Sequence, residues 1–132
     1  MSSQGGVEVE MRLELVPVPV ADVERAKAFY VDKVGFTLDH DHQVSETLRF
    51  IQLTPPGSAC SITLGEGIAT DMPPGSLKGL QMVVPDIGQA HDELETRGVL
   101  VSRIEDMPWG RFAYFSDPDG NSWALQEVPS RG

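Results

Sequence analysis

With 132 residues, 40% of them apolar and 23% charged, the chain is long enough for one compact domain with a real core and too short for two. Twenty acidic against ten basic side chains give a formal net charge of −10, which argues against nucleic acid as a partner and suits neutral or cationic ligands, although solubility alone also accounts for such a charge. No run approaches the ~18 apolar residues of a membrane span, so no membrane association is expected.

The single cysteine, Cys60, excludes an intramolecular disulfide and fits a reducing, cytoplasmic setting, with the thiol read as a small buried core group. Residues 1–11 read as a flexible tail, because Met1-Ser2-Ser3-Gln4-Gly5-Gly6 has neither a basic nor an apolar segment of a secretion signal. Val7 to Val20 is β-branched, but Pro17 and Pro19 lack N–H groups, so a short edge strand ending near Val20 is expected. Asp22 then offers an N-cap, Val23, Ala26, Phe29 and Tyr30 recur at helical spacing, and Gly35 supplies the stop. Strands follow at Phe36 to His42, Leu48 to Leu53 and Cys60 to Leu64.

Gly65 to Gly79 is rich in Gly and Pro and reads as a linker, after which the pattern restarts. Leu80 to Val84 is a strand. Asp86, with Gln89 three residues on, opens a second helix that ends at Arg97-Gly98. Val99 to Ile104, Phe112 to Phe115 and Ser122 to Glu127 complete the strands, the last two joined by a turn at Asp117-Pro118-Asp119-Gly120-Asn121. Arg49/Arg111, Phe50/Phe112, Thr54/Ser116 and Pro56/Pro118 each stand 62 residues apart, so the halves, about 12–65 and 79–128, are two βαβββ modules inside one domain of residues 12–128. The fold class is α+β, with the tandem modules forming a curved mixed sheet around a cavity and the helices on its outer face.

Period-2 alternation divides the strand residues between two faces. Ile51, Leu53, Ile62, Leu64, Leu80, Met82, Val84, Ala113, Phe115, Trp123 and Leu125 suit the side under the helices. Phe50, Gln52, Ser61, Thr63, Gly79, Gln81, Phe112, Tyr114, Ser122, Ala124 and Gln126 fall opposite, a mixture of aromatic, small and uncharged polar groups that fits a ligand cavity or an interface. Trp109, ahead of the second Arg-Phe strand, either stacks on a planar ligand or covers the sheet end. Arg49 and Arg111 read as structural ion pairs and His91 as a surface residue on the second helix. His40 and His42 share a strand face and could chelate a metal, though an exposed polar strand end explains them equally.

Val20-Ala21-Asp22 and Val84-Pro85-Asp86 at the helix entrances, with Asp117-Pro118-Asp119-Gly120-Asn121 near the end, resemble the vicinal oxygen chelate superfamily, which includes glyoxalase I, extradiol dioxygenases and bleomycin-resistance proteins. The resemblance implies a U-shaped cavity built from two modules and a homodimer. It also implies divalent-metal positions near Leu15, Thr63, Gly79 and Ala124, none of which is a metal ligand of normal strength. The expectation is therefore a metal-independent protein without cofactor, similar to bleomycin-resistance proteins, that sequesters a small aromatic, hydrophobic or cationic molecule. Its expected contacts are Leu15, Phe50, Gln52, Thr63, Gln81, Trp109, Phe112, Tyr114, Ala124 and Gln126, with no catalytic residue assigned. A glyoxalase-type lyase or isomerase is the alternative, with His40 and His42 as its fallback metal ligands.

Overall fold

A computed structural model describes residues 8–68 and 71–129. The first seven residues of the expected tail lie outside them, and residues 8–11 are exposed and belong to no element. The first module runs β1 (Leu15–Pro17), α1 (Val23–Ala28) continued by a π-helical turn (Phe29–Val34), β2 (Thr37–Gln43), β3 (Arg49–Thr54) and β4 (Ser61–Leu64). The second runs β5 (Leu80–Val83), α2 (Ile87–Thr96), β6 (Glu105–Met107), β7 (Gly110–Ser116) and β8 (Ser122–Glu127).

Each module makes its own four-stranded sheet, ordered β1-β4-β3-β2 (sheet A) and β5-β8-β7-β6 (sheet B), with the first pair parallel and the others antiparallel. The expected curved sheet is thus made of two equivalent halves. Gln52 opposes Thr63 where Tyr114 opposes Ala124, so the repeat of 62 residues on β3 and β7 becomes 61 on β4 and β8. The second hairpin turn is one residue shorter.

Both helices begin where a side chain can replace a missing intrahelical acceptor. Asp22 accepts from the Arg25 N–H at 3.0 Å and Asp86 from the Gln89 N–H at 3.1 Å. The first helix does not stay α-helical to its end, as its periodicity predicts, but widens, with the Gly35 N–H reaching back to the Tyr30 carbonyl at 3.0 Å. Gly35 closes it at φ 94°, a conformation that disfavours any residue with a Cβ.

Two strand boundaries depart from the sequence reading. The first strand stops at Pro17, short of Val20; it is an edge strand, where a proline costs no ladder bond. Val99 to Ile104 is not a strand, and β6 lies later, at Glu105–Met107. Ser102 is the cause: its N–H donates to the Tyr114 carbonyl at 2.8 Å, but its hydroxyl, not its carbonyl, accepts from the Tyr114 N–H at 2.9 Å. A side chain thereby replaces the main-chain ladder.

The core is shared by both modules. Ile51, Leu53, Ile62 and Leu64 of sheet A, Ala113, Phe115, Trp123 and Leu125 of sheet B, and Val23, Ala26, Tyr30, Ile87 and Leu94 of the helical segments are all buried in one cluster. Tyr30 and Phe36 of the first half pack edge-on against Trp123 of the second, at 5.8 and 5.7 Å between ring centres. Cys60 is only half-buried and lies outside this core, a correction to its expected place.

The Asp117–Asn121 turn fastens the halves together. Asp117 accepts from the Tyr30 hydroxyl (2.7 Å) and the Asn121 amide (2.8 Å), and the same amide reaches the Pro19 carbonyl at 2.8 Å. The Tyr30 oxygen in turn accepts from Trp123 Nε1 at 2.9 Å. Asp119 accepts from the Ala21 N–H and from Arg25, both at 3.1 Å. Both carboxylates of this turn are therefore tied into the fold, Asp117 through both oxygens and Asp119 through one.

Candidate functional site

The helices and one face of each sheet share the core, which leaves each sheet an opposite face. Face A, on the first sheet, carries Leu15 beside Ser61, Pro17 beside Thr63, Thr63 beside Gln52, Gln52 beside His40, and Phe50 beside His42. Face B, on the second, carries Gln81 beside Ala124, Ala124 beside Tyr114, and Phe112 beside Gln126.

The ten expected contact residues thus fall into two groups. Leu15, Phe50, Gln52 and Thr63 lie on face A. Gln81, Phe112, Tyr114, Ala124 and Gln126 lie on face B, and Trp109 stands at its edge, 62% exposed, with its carbonyl accepting from Gln126 Nε2 at 3.1 Å. Among the described residues no hydrogen bond joins the two groups.

Face B is the more aromatic. The rings of Phe112 and Tyr114 lie nearly parallel, 8° apart in plane and 6.3 Å between centres, and an open cleft of about 820 Å³ passes over Tyr114, Ala124, Ser122, Gly79, Ser102 and Leu100. Its volume is in the range of small-molecule sites. The cleft omits Phe112, Gln81, Gln126 and Trp109, so part of the face lies beyond it. Val83 and Leu100 are 64% and 93% exposed beside these residues. Val83 was legible as an outer residue, since it shares the parity of Gln81; Leu100 was hidden by the mistaken strand. A second cleft of similar size runs between α2 and the β3–β4 turn, next to Phe36, Leu94 and Leu125.

Face A is the more polar. Ser61 and Thr63 are buried, at 4% and 3% exposure, and Gln52 is half-buried. His40 and His42 stand on exposed strand β2, with rings 5.7 Å apart and 29° between planes.

The positions that would hold a divalent ion do not fit one. Leu15, Thr63, Gly79 and Ala124 bring a single hydroxyl oxygen between them, and the Gly79 N–H donates to Ser122. Among the described residues one trio of donor side chains, His91, Asp92 and Glu95, comes within 4.8 Å, and it sits on α2, away from both faces. Arg49 is committed to Asp41 and Glu24, and Arg111 to Asp106, which leaves both arginines structural.

Two duplicated βαβββ modules, capped helix entrances and the Asp117–Asn121 turn define a known class. The family model of the Glyoxalase/Bleomycin resistance protein/Dioxygenase superfamily matches residues 12–125, and the chain belongs to that superfamily. TnmS3, an antibiotic binding protein from Streptomyces sp. CB03234, is similar at 41% identity with a TM-score of 0.83, over 93% of this chain and 100% of that one. A glyoxalase/bleomycin resistance protein from the same organism is 44% identical with a TM-score of 0.77, over 88% and 100% of the two chains. The uncharacterized protein YetH of Bacillus subtilis (strain 168) is 28% identical over 120 residues, 85% of this chain and 94% of its own.

Proposed function

We propose that this chain is a metal-independent binding protein that sequesters a small aromatic, hydrophobic or cationic molecule in the cytoplasm. The observation that carries the reading is face B, where Tyr114 and Ala124 line an open cleft, Phe112 lies parallel to Tyr114 beyond it, and the Gln81–Gln126 amide pair stands on the same face. Aromatic rings bind flat ligands by stacking and cations through their π faces, and they do so without an acid, a base or an ion. Likeness to an antibiotic binding protein at 41% identity supports the same reading.

The binding cavity, in this proposal, closes between face A of one copy and face B of a second in a homodimer. Exposed Val83, Leu100, Trp109 and Tyr114 give the partner an apolar surface to cover, and the expected ligand contacts are divided between the two sheets.

A thermal-shift series with planar aromatic antibiotics tests the reading, because a ligand that binds only the folded state raises the melting temperature. At least one such compound should raise it in proportion to the logarithm of its concentration, and Trp109→Ala with Phe112→Ala should remove the effect. A panel without any shift refutes sequestration.

The second reading, a glyoxalase-type lyase or isomerase, draws on one observation: His40 and His42 lie on face A beside Gln52 and Phe50. Near-stoichiometric zinc, nickel, manganese or iron in the purified protein, lost from His40→Ala/His42→Ala, would favour it over sequestration.

A further inference from the structure

Two hydrogen-bond relays reach the outer faces, and both run in the same direction. On face A the relay is anchored at Asp39, whose carboxylate accepts from the Thr54 hydroxyl. Thr54 has no second proton, so in its 2.6 Å contact with Ser61 the donor must be Ser61. Ser61 has then spent its own proton, and its oxygen is left to accept from Gln52 Nε2 at 3.3 Å. The Gln52 amide is fixed with its nitrogen toward the wall and its oxygen away from it. Directly across the ladder stands Thr63, 3% exposed, with a hydroxyl that has no partner among the described residues.

On face B the anchor is the Trp109 carbonyl, which can only accept. Gln126 must present Nε2 to it, at 3.1 Å, and so turns Oε1 toward Gln81. Gln81 must answer with Nε2, at 2.5 Å, and its own Oε1 becomes the open end. Reversing either amide would set two oxygens against each other.

We propose that the guest of this cavity is recognised through N–H or O–H groups, as an amine, an ammonium or a phenol, with Gln52 Oε1 accepting on one side and Gln81 Oε1 on the other, and with the Thr63 hydroxyl beside Gln52 free to accept or donate. An aromatic compound edged only with carbonyls leaves the two amide oxygens unpaired. The proposal rests on the sequestration reading and adds the polarity of the ligand to it. The net charge of −10 works in the same sense, since it draws protonated amines.

Proflavine and acridine orange test it. Both are flat tricyclic cations that share a protonated ring nitrogen; the amino groups of proflavine add N–H bonds at the edge, and methylation removes these in acridine orange. In fluorescence titrations proflavine should bind about 10-fold tighter, the worth of one good hydrogen bond. Gln52→Met and Gln81→Met should each weaken proflavine about 5-fold or more, leave acridine orange within about 2-fold, and keep the wild-type circular dichroism. Equal binding of the two dyes, both saturable, overturns the donor rule and leaves sequestration standing. A preference for proflavine that survives in both variants is steric and also overturns it. If neither dye binds, sequestration of flat cations fails, and the donor rule with it.

Discussion

The Tyr30 hydroxyl stands between Trp123 Nε1, which must donate, and Asp117, which accepts, in a part of the core that water does not reach. Tyr30→Phe removes an oxygen that serves both neighbours, so about 1–3 kcal/mol of stability should be lost, read as a lower urea midpoint at unchanged slope. Burial first, and then the adjacent Asp117 carboxylate, push the Tyr30 phenol well above its ordinary value. A raised pKa in the folded state stabilises the protein fully below about pH 10, where an unfolded tyrosine titrates, and ever less as the pH climbs beyond it. The alkaline loss of stability should therefore be shallower in Tyr30→Phe than in the parent. The sequence marks Tyr30 as core-facing by its spacing. It carries no sign that the hydroxyl meets a carboxylate 87 positions later, because a hydrogen bond across the fold leaves no local pattern.

At the scale of elements, α1 is tied to sheet A through Asp41, which accepts from Lys27 at 2.7 Å and from two nitrogens of Arg49 at 3.0 and 2.9 Å. The hydrogen bonds from Arg49, and then those from Lys27, hold the Asp41 carboxyl well below the usual carboxylate range. A depressed value stabilises the fold fully above about pH 4, where an unfolded aspartate titrates, and the gain declines below that until the pH reaches the folded value. Asp41→Asn should thus cost about 1 kcal/mol at neutral pH, and the gap to the parent in melting temperature should start to narrow only as the pH falls below about 4.

The elements themselves were legible to different degrees. Both helix entrances, the Gly35 stop and β8 follow from capping, positive φ and alternation. The widened turn after Ala28 and strand β6 do not. Glu105–Met107 is short and polar, and Val99 to Ile104 looks more like a strand until the Ser102 hydroxyl takes over the ladder.

For the whole molecule, the 62-residue repeat made the two-module architecture readable, and parity sorted core from outer residues. What parity could not show is that the outer residues divide between two separate sheets, since alternation fixes which side of a strand a residue takes but not how the strands are grouped. If the cavity closes between copies, Val83→Asp/Leu100→Asp should shift the particle from dimer to monomer in light scattering, with helical circular dichroism retained and ligand-induced thermal shifts lost.

The shared core has a consequence for the halves as separate pieces. Phe29, Tyr30 and Phe36 find their partners in Phe115 and Trp123, and Asn121 holds the Pro19 carbonyl, so each module is finished by the other. Severed between β4 and β5, the polypeptide should behave as a complementing fragment pair. Either fragment alone should lack a cooperative melt, and mixing the two should restore one.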